Sequence, residues 1–237
     1  MPLELKYHLK NLRNSLDFML RSHFKFGRAL PTDAPTPTRD LKLQMEIRDF
    51  LSLYNWKKRL EKFAHTEKLI VADIGARNFA FAPEIDRIFN KLNRSAEING
   101  IEIDAHRLLE GFRSRKDYGE FYAAKIRDGH FYATDFLKWE RPLHIAFFLN
   151  PFVSEEPTID WGLPVKTLKP NQMFDHTHTL LSPTEGLMLL SSPSPEEYEI
   201  AFELAEHSGF KILEEQLWKP PKESVQQKAR HGALFHA

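Results

Sequence analysis

The apolar positions follow two periods, helical in the first quarter of the chain and strand-like in short runs after it. Leu5, Leu9, Leu12, Leu16 and Met19 recur at alternating steps of four and three and line one face of a helix. That face predicts a helix packed on the main domain, with Lys6, Lys10, Arg13, Arg21, Lys25 and Arg28 on a solvated basic side; a substrate arm or a dimerising helix are the alternatives. Pro31, Pro35 and Pro37 in PTDAPTPT cannot continue a helix and mark a linker over 31–38. A second helix is expected from Asp40 to Phe63, carrying Leu43, Ile47, Phe50 and Tyr54 at helical spacing, with Lys57, Lys58 and Arg59 as its solvated last turn. Residues 1–67 thus read as a helical extension and 68–237 as the main domain.

From Leu69 onward, strands and helices alternate. LIVADIG (69–75) is a buried strand ending in an acid and a glycine. Pro83 suits a first helical turn, and Ile85, Ile88, Phe89 and Leu92 give that helix a buried face. Further strands are expected at Ala96–Asp104, His130–Thr134, Leu143–Leu149, Gly186–Ser191, Phe210–Trp218 and Ala233–Ala237. LHIAFFL (143–149) is apolar without alternation, as in a central parallel strand covered on both faces. Helices are expected at His106–Ile126 and Asn171–Leu181, and after Ser194, which forms a capping box with Glu197 ahead of a stop at Gly209. Pro151, Pro157, Pro164 and Pro170 make 151–170 a lid or binding loop rather than a plain connector.

Composition narrows the partners more than the chemistry. Lys plus Arg equals Asp plus Glu, 33 of each, so no global field draws the protein to nucleic acid or an anionic membrane, and a small-molecule or protein substrate is favoured over nucleic acid. The absence of cysteine excludes disulfides and thiolate chemistry. The charged N-terminal stretch has neither a signal-peptide core nor a membrane span, which gives the expectation of a soluble, cytoplasmic protein.

Five strands alternating with helices, followed by a helix and a closing pair of strands, resemble the class I, Rossmann-like S-adenosylmethionine-dependent methyltransferase family over roughly residues 68 to 237. The resemblance implies an α/β fold: a seven-stranded, mostly parallel sheet with helices on both faces, its antiparallel seventh strand inserted between the fifth and sixth. It implies S-adenosylmethionine as cofactor. Asp73, Gly75, Ala76 and Asn78 stand at the family's first, glycine-rich loop, although GARN holds a single glycine and Asn78 is the residue expected to supply a left-handed backbone in its place. Glu102 stands where the family grips the ribose hydroxyls, with Ile103 beside it and Asp104 as a nearby rival. Thr134, Asp135 and Phe136 stand where an acid receives the adenine amino group and an apolar side chain covers the ring; a helix cap is the plainer reading of Asp135.

Asn150, Pro151 and Phe152 match in part the motif of amino-group methyltransferases, which slightly favours a nitrogen nucleophile, with Phe152 and Trp161 as substrate contacts. Methyl transfer requires alignment, and a base only when the nucleophile arrives protonated. Among the histidines, His130 and His144 begin strands away from the crevice, while His176 and His178 follow the loop after the fourth strand, His176 being the candidate base. The pair lacks a third ligand, so no metal is expected. Glu155, Glu156 and Asp160 suit an amine substrate or simply a solvated loop. A degenerate cofactor-binding domain with a regulatory or scaffolding role and a nicotinamide-dependent oxidoreductase are the competing functions.

Overall fold

The computed structural model describes residues 3–222, 224 and 228–237. Seven strands form one sheet: β1 (Leu69–Ile74), β2 (Ala96–Ile101), β3 (Gly129–Tyr132), β4 (Ile145–Leu149), β5 (Leu187–Ser192), β6 (Lys211–Trp218) and β7 (Arg230–His236). Their order is β3-β2-β1-β4-β5-β7-β6, parallel from β3 to β5, with β7 antiparallel to both neighbours. The inserted seventh strand is thus where the resemblance put it.

Successive side chains of each central strand enter opposite cores, as the two-residue repeat requires. Leu69 and Val71 join a cluster beneath α2 (Thr38–Leu51), α3 (Trp56–Leu60), α4 (Ala82–Lys91) and α5 (Arg115–Ala123). Ala72 and Ile74 join a second one, beneath α7 (Pro170–Leu181) and α8 (Pro195–His207). Phe50, Trp56, Leu60 and Phe63 of the N-terminal region lie in the same buried cluster as β1.

Three expected elements differ. The helix expected over 40–63 is broken at residues 52–55: Asn55 caps α3 by accepting from the Lys58 amide (3.1 Å), and a 3-10 turn at Glu61–Phe63 follows. The helix expected over 106–126 is confined to α5, where Ser114 and Asp117 form a capping box; upstream, Gly111 (φ 69°) sits in a 3-10 turn. At α8 only half of the expected capping box forms. The Ser194 hydroxyl accepts from the Glu197 amide, but the Glu197 carboxylate turns away to accept from the Val153 amide (2.9 Å) and the Ser154 hydroxyl.

The orientation of α1 (Leu3–Phe24) reverses the expectation of an apolar face packed inward. Leu5, Leu9, Leu12, Leu16 and Met19 are 47–58 % exposed, whereas Asn14 is buried. The polar side faces the body because it finds backbone groups that need partners. Asn14 donates to the carbonyls of Ile159 and Leu163 (2.9 and 3.2 Å), and Asn11 accepts from the Val165 amide (3.0 Å). Lys10 pairs with Asp160 and Arg21 with Asp104, both at 2.5 Å. α1 thereby straps down the proline-rich segment, which holds α6 (Glu155–Asp160) and a 3-10 turn at Val165–Thr167.

Candidate functional site

The carboxyl ends of β1, β2, β4 and β5 open into a cavity of about 490 Å³, in the range of small-molecule sites and at the edge where open α/β sheets place ligands. Gly75, Glu102, Ile103, Asn150, Phe152 and Trp161, all sequence candidates, line it together. Leu43, Phe148, Leu163 and Met173 make its walls largely apolar.

The loop after β1 turns through three left-handed residues, Gly75 (φ 71°), Arg77 (φ 55°) and Phe79 (φ 58°). Asn78, the residue expected to take that conformation, does not; its side chain instead donates to Asp40 (3.2 Å), which also accepts from the Tyr122 hydroxyl (2.6 Å). Two features hold the strained turn. The amides of Gly75 and Ala76 both donate to the Ile101 carbonyl (2.9 and 3.1 Å), and the Phe79 ring packs so closely over Gly100 that a Cβ there would lie 2.6 Å from it. Above Gly75 the Cβ position is open, so the chain leaves room for a ligand against the backbone.

Glu102 is 4 % exposed and accepts from the amides of Arg77 (2.8 Å) and Asp104 (2.7 Å), one on each oxygen, with Arg115 Nη1 3.4 Å away. A carboxylate has about four acceptor positions, and with three of them taken Oε2 keeps one for a donor from the cavity side. Asp73 lies beneath the loop, 2 % exposed, with Oδ2 buried and unpartnered. Burial, with the Glu102 charge adding to it, pushes its carboxyl up to about 7. Ala76 and Asn78 line a neighbouring cavity of about 510 Å³, which shares Arg77, Arg115 and Trp161 with the first.

Asn150 (φ 83°) ends β4, and its Oδ1 accepts from Arg230 Nη1 (2.7 Å), which also donates to the Ser191 hydroxyl (2.9 Å). Arg230 is 4 % exposed; burial lowers its guanidinium to about 10, so it remains charged at neutral pH. Arg77, Arg115, Lys169, Glu197 and Arg230 line the cavity and escaped the sequence reading. Arg77 stood within GARN itself and Glu197 within the expected capping box; the others bear no local signal.

The remaining candidates are not brought to the cavity. Asp135 accepts from the Leu137 amide (3.1 Å) and caps a 3-10 turn, the plainer of its two readings. Thr134 precedes it, and Phe136 is buried in the core against Phe148 and His176. His176 Nε2 lies 2.8 Å from the Trp139 carbonyl, to which its N–H donates, and the ring meets Phe136 rather than the cavity. Among the described residues no group of three or more His, Cys, Asp or Glu is arranged to hold a metal ion, and no helix is long and apolar enough to cross a membrane.

No protein-family model matches the chain, and no curated protein matches it by sequence. Solved structures do match it by shape. Magnesium protoporphyrin IX methyltransferase from Synechocystis PCC 6803, with bound S-adenosylmethionine, superposes with a TM-score of 0.52 at 11 % identity, covering 86 % of both chains. A candidate class I S-adenosylmethionine-dependent methyltransferase from Listeria monocytogenes gives 0.53 at 10 % identity, covering 94 % of this chain and 67 % of its own. A candidate RNA methyltransferase from Pyrococcus horikoshii gives 0.50 at 12 % identity over 94 % and 97 %. The strand order and these likenesses agree: the chain has the class I, Rossmann-like methyltransferase fold.

Proposed function

We propose that the protein is an S-adenosylmethionine-dependent methyltransferase acting on a small, largely apolar acceptor. The observation that carries this reading is the buried Glu102 carboxylate, facing the cavity next to the open backbone of Gly75. Those residues fit the cofactor: Glu102 Oε2 would accept from a ribose hydroxyl, Ile103 would flank the base, and Gly75 would let the methionine portion approach the main chain. When bound, the cofactor supplies an electrophilic methyl group on a sulfonium.

The chain's own contribution is alignment and exclusion of water. Phe148, Phe152, Trp161 and Met173 offer apolar walls to an acceptor. Asn150 Oδ1 gives one lone pair to Arg230 and keeps a second, which an acceptor N–H can use; this retains the preference for a nitrogen nucleophile. With His176 held away from the cavity, the reading includes no general base, and the acceptor enters with its lone pair free.

A second reading, a cofactor-binding domain that senses rather than transfers, is favoured by one observation. The Arg77 guanidinium occupies the cavity wall, stacked on Trp161, where a glycine-rich loop would leave open space. Incubation with S-adenosylmethionine and a panel of aromatic amines, read by mass spectrometry for methylated product, separates the two. Methylated product supports transfer; tight binding without any product supports sensing.

A further inference from the structure

The side of α1 that points away from the body is a continuous apolar stripe. Leu5, Leu9, Leu12, Leu16, Met19 and Leu20 are each 47–58 % exposed. The first five are spaced 4-3-4-3, the a and d positions of a heptad, which is the narrow seam of one helix against another rather than the broader face of a helix lying on a sheet. Tyr7, Asn14 and Arg21, seven residues apart at the positions opposite that seam, are the ones bonded to Glu155, Ile159 and Asp104 of the body. The helix is therefore held with its seam outward. We propose that α1 is a self-association seam, pairing with α1 of a second copy of this chain about a two-fold axis.

Area and charge both select a second copy. Leaving about half of each of six large side chains in water exposes on the order of 600 Å² per copy, so a pair buries on the order of 1,200 Å², the lower bound for a specific interface. A lipid surface would need cations flanking the stripe. Lys10 and Arg21 are instead turned onto Asp160 and Asp104, and Arg13 lies 3.7 Å from Asp17, which leaves the exposed Lys6 as a single cation beside the stripe where a lipid surface would need several. The zero net charge also removes the repulsion that keeps like molecules apart. The opposite side of α1 carries the segment that supplies Pro157, Thr158, Trp161 and Leu163 to the cavity, so pairing stiffens the cavity's cover.

The test is sedimentation of the full chain across the micromolar range, for wild type, Leu9→Lys/Leu16→Lys, and Met45→Lys, which alters an exposed apolar residue on α2. Wild type and Met45→Lys are expected to dimerise; the double variant is expected to sediment as the 27.7 kDa monomer, its association weakened by about tenfold or more. Circular dichroism of the double variant should match wild type, since both positions are 49 % exposed; if it does not fold, the wild-type result decides alone. A monomeric wild type, a dimer indifferent to the double change, or seam-dependent flotation with phosphatidylserine vesicles would each overturn the proposal.

Discussion

The Arg77 guanidinium carbon lies 4.5 Å from the centre of the Trp161 ring, and the pair forms the partition between the two neighbouring cavities. It ties the turn after β1 to the segment after β4, and Arg107, from the segment after β2, bonds to the Trp161 carbonyl as well. Removal of the ring in Trp161→Ala should open the partition. A cation–π contact in a partly dehydrated place is worth about 1 kcal/mol, so cofactor release should be roughly fivefold faster by stopped-flow, with Trp161→Phe close to wild type.

Asp104 gathers three arginines. Its carboxylate meets Arg21 and Arg107 at 2.5 Å each and Arg115 at 3.4 Å, and its side chain is 1 % exposed. Arg21 comes from α1, so Asp104 latches the strap to the end of β2. Asp104→Ala leaves guanidinium groups without their shared partner and should cost about 3–5 kcal/mol by denaturant unfolding. Limited proteolysis should cut first between residues 155 and 165. Unchanged cleavage there would contradict the latch.

Asp73 should make stability fall as the solution becomes more alkaline. Its carboxyl titrates at about 7 in the folded protein, well above the ordinary value of 3.8, so the folded state binds more protons than the unfolded between those values. The contribution is fully present below pH 4 and is lost as pH rises through 7. Asp73→Asn should remove this slope, raising stability relative to wild type at pH 8 by about 4 kcal/mol and little at pH 4. Parallel pH profiles of the two melting temperatures would contradict it.

Gly100 is the floor on which the loop after β1 rests. A methyl group there would meet the Phe79 ring at 2.6–2.8 Å, so Gly100→Ala must move the turn that carries Gly75 to Asn78. Overpacking of this kind should cost about 1–3 kcal/mol of stability, with a larger loss in cofactor affinity than that of a control at Gly119 of α5, which packs against Phe131 of β3.

What was legible in the chain is what local pattern controls. LIVADIG, the acids after it and the apolar run 143–149 place the strands, because burial on two faces leaves a trace in each residue, while the order of the strands in the sheet came from the family resemblance. The α1 stripe was equally visible, yet periodicity reports that a face exists and not what covers it; the carbonyls of Ile159 and Leu163, which attract Asn14, have no signature near residue 14. Asp135 shows the reverse. Its spacing suits the family's adenine-binding acid, while in the structure its Oδ1 accepts from the Leu137 amide two residues away and the residue caps a 3-10 turn. Arg230 reaches Asn150 across 80 residues, a pairing that only the insertion of β7 beside β5 creates.

Calorimetric titration of wild type and Glu102→Ala with S-adenosylmethionine, S-adenosylhomocysteine and NAD tests the central claim most directly. Wild type should bind both adenosyl ligands and not NAD, and loss of the carboxylate should weaken that binding by about 1–3 kcal/mol, the range for a charged hydrogen-bond partner. Binding of NAD alone, or affinity for the adenosyl ligands unchanged in Glu102→Ala, would contradict it.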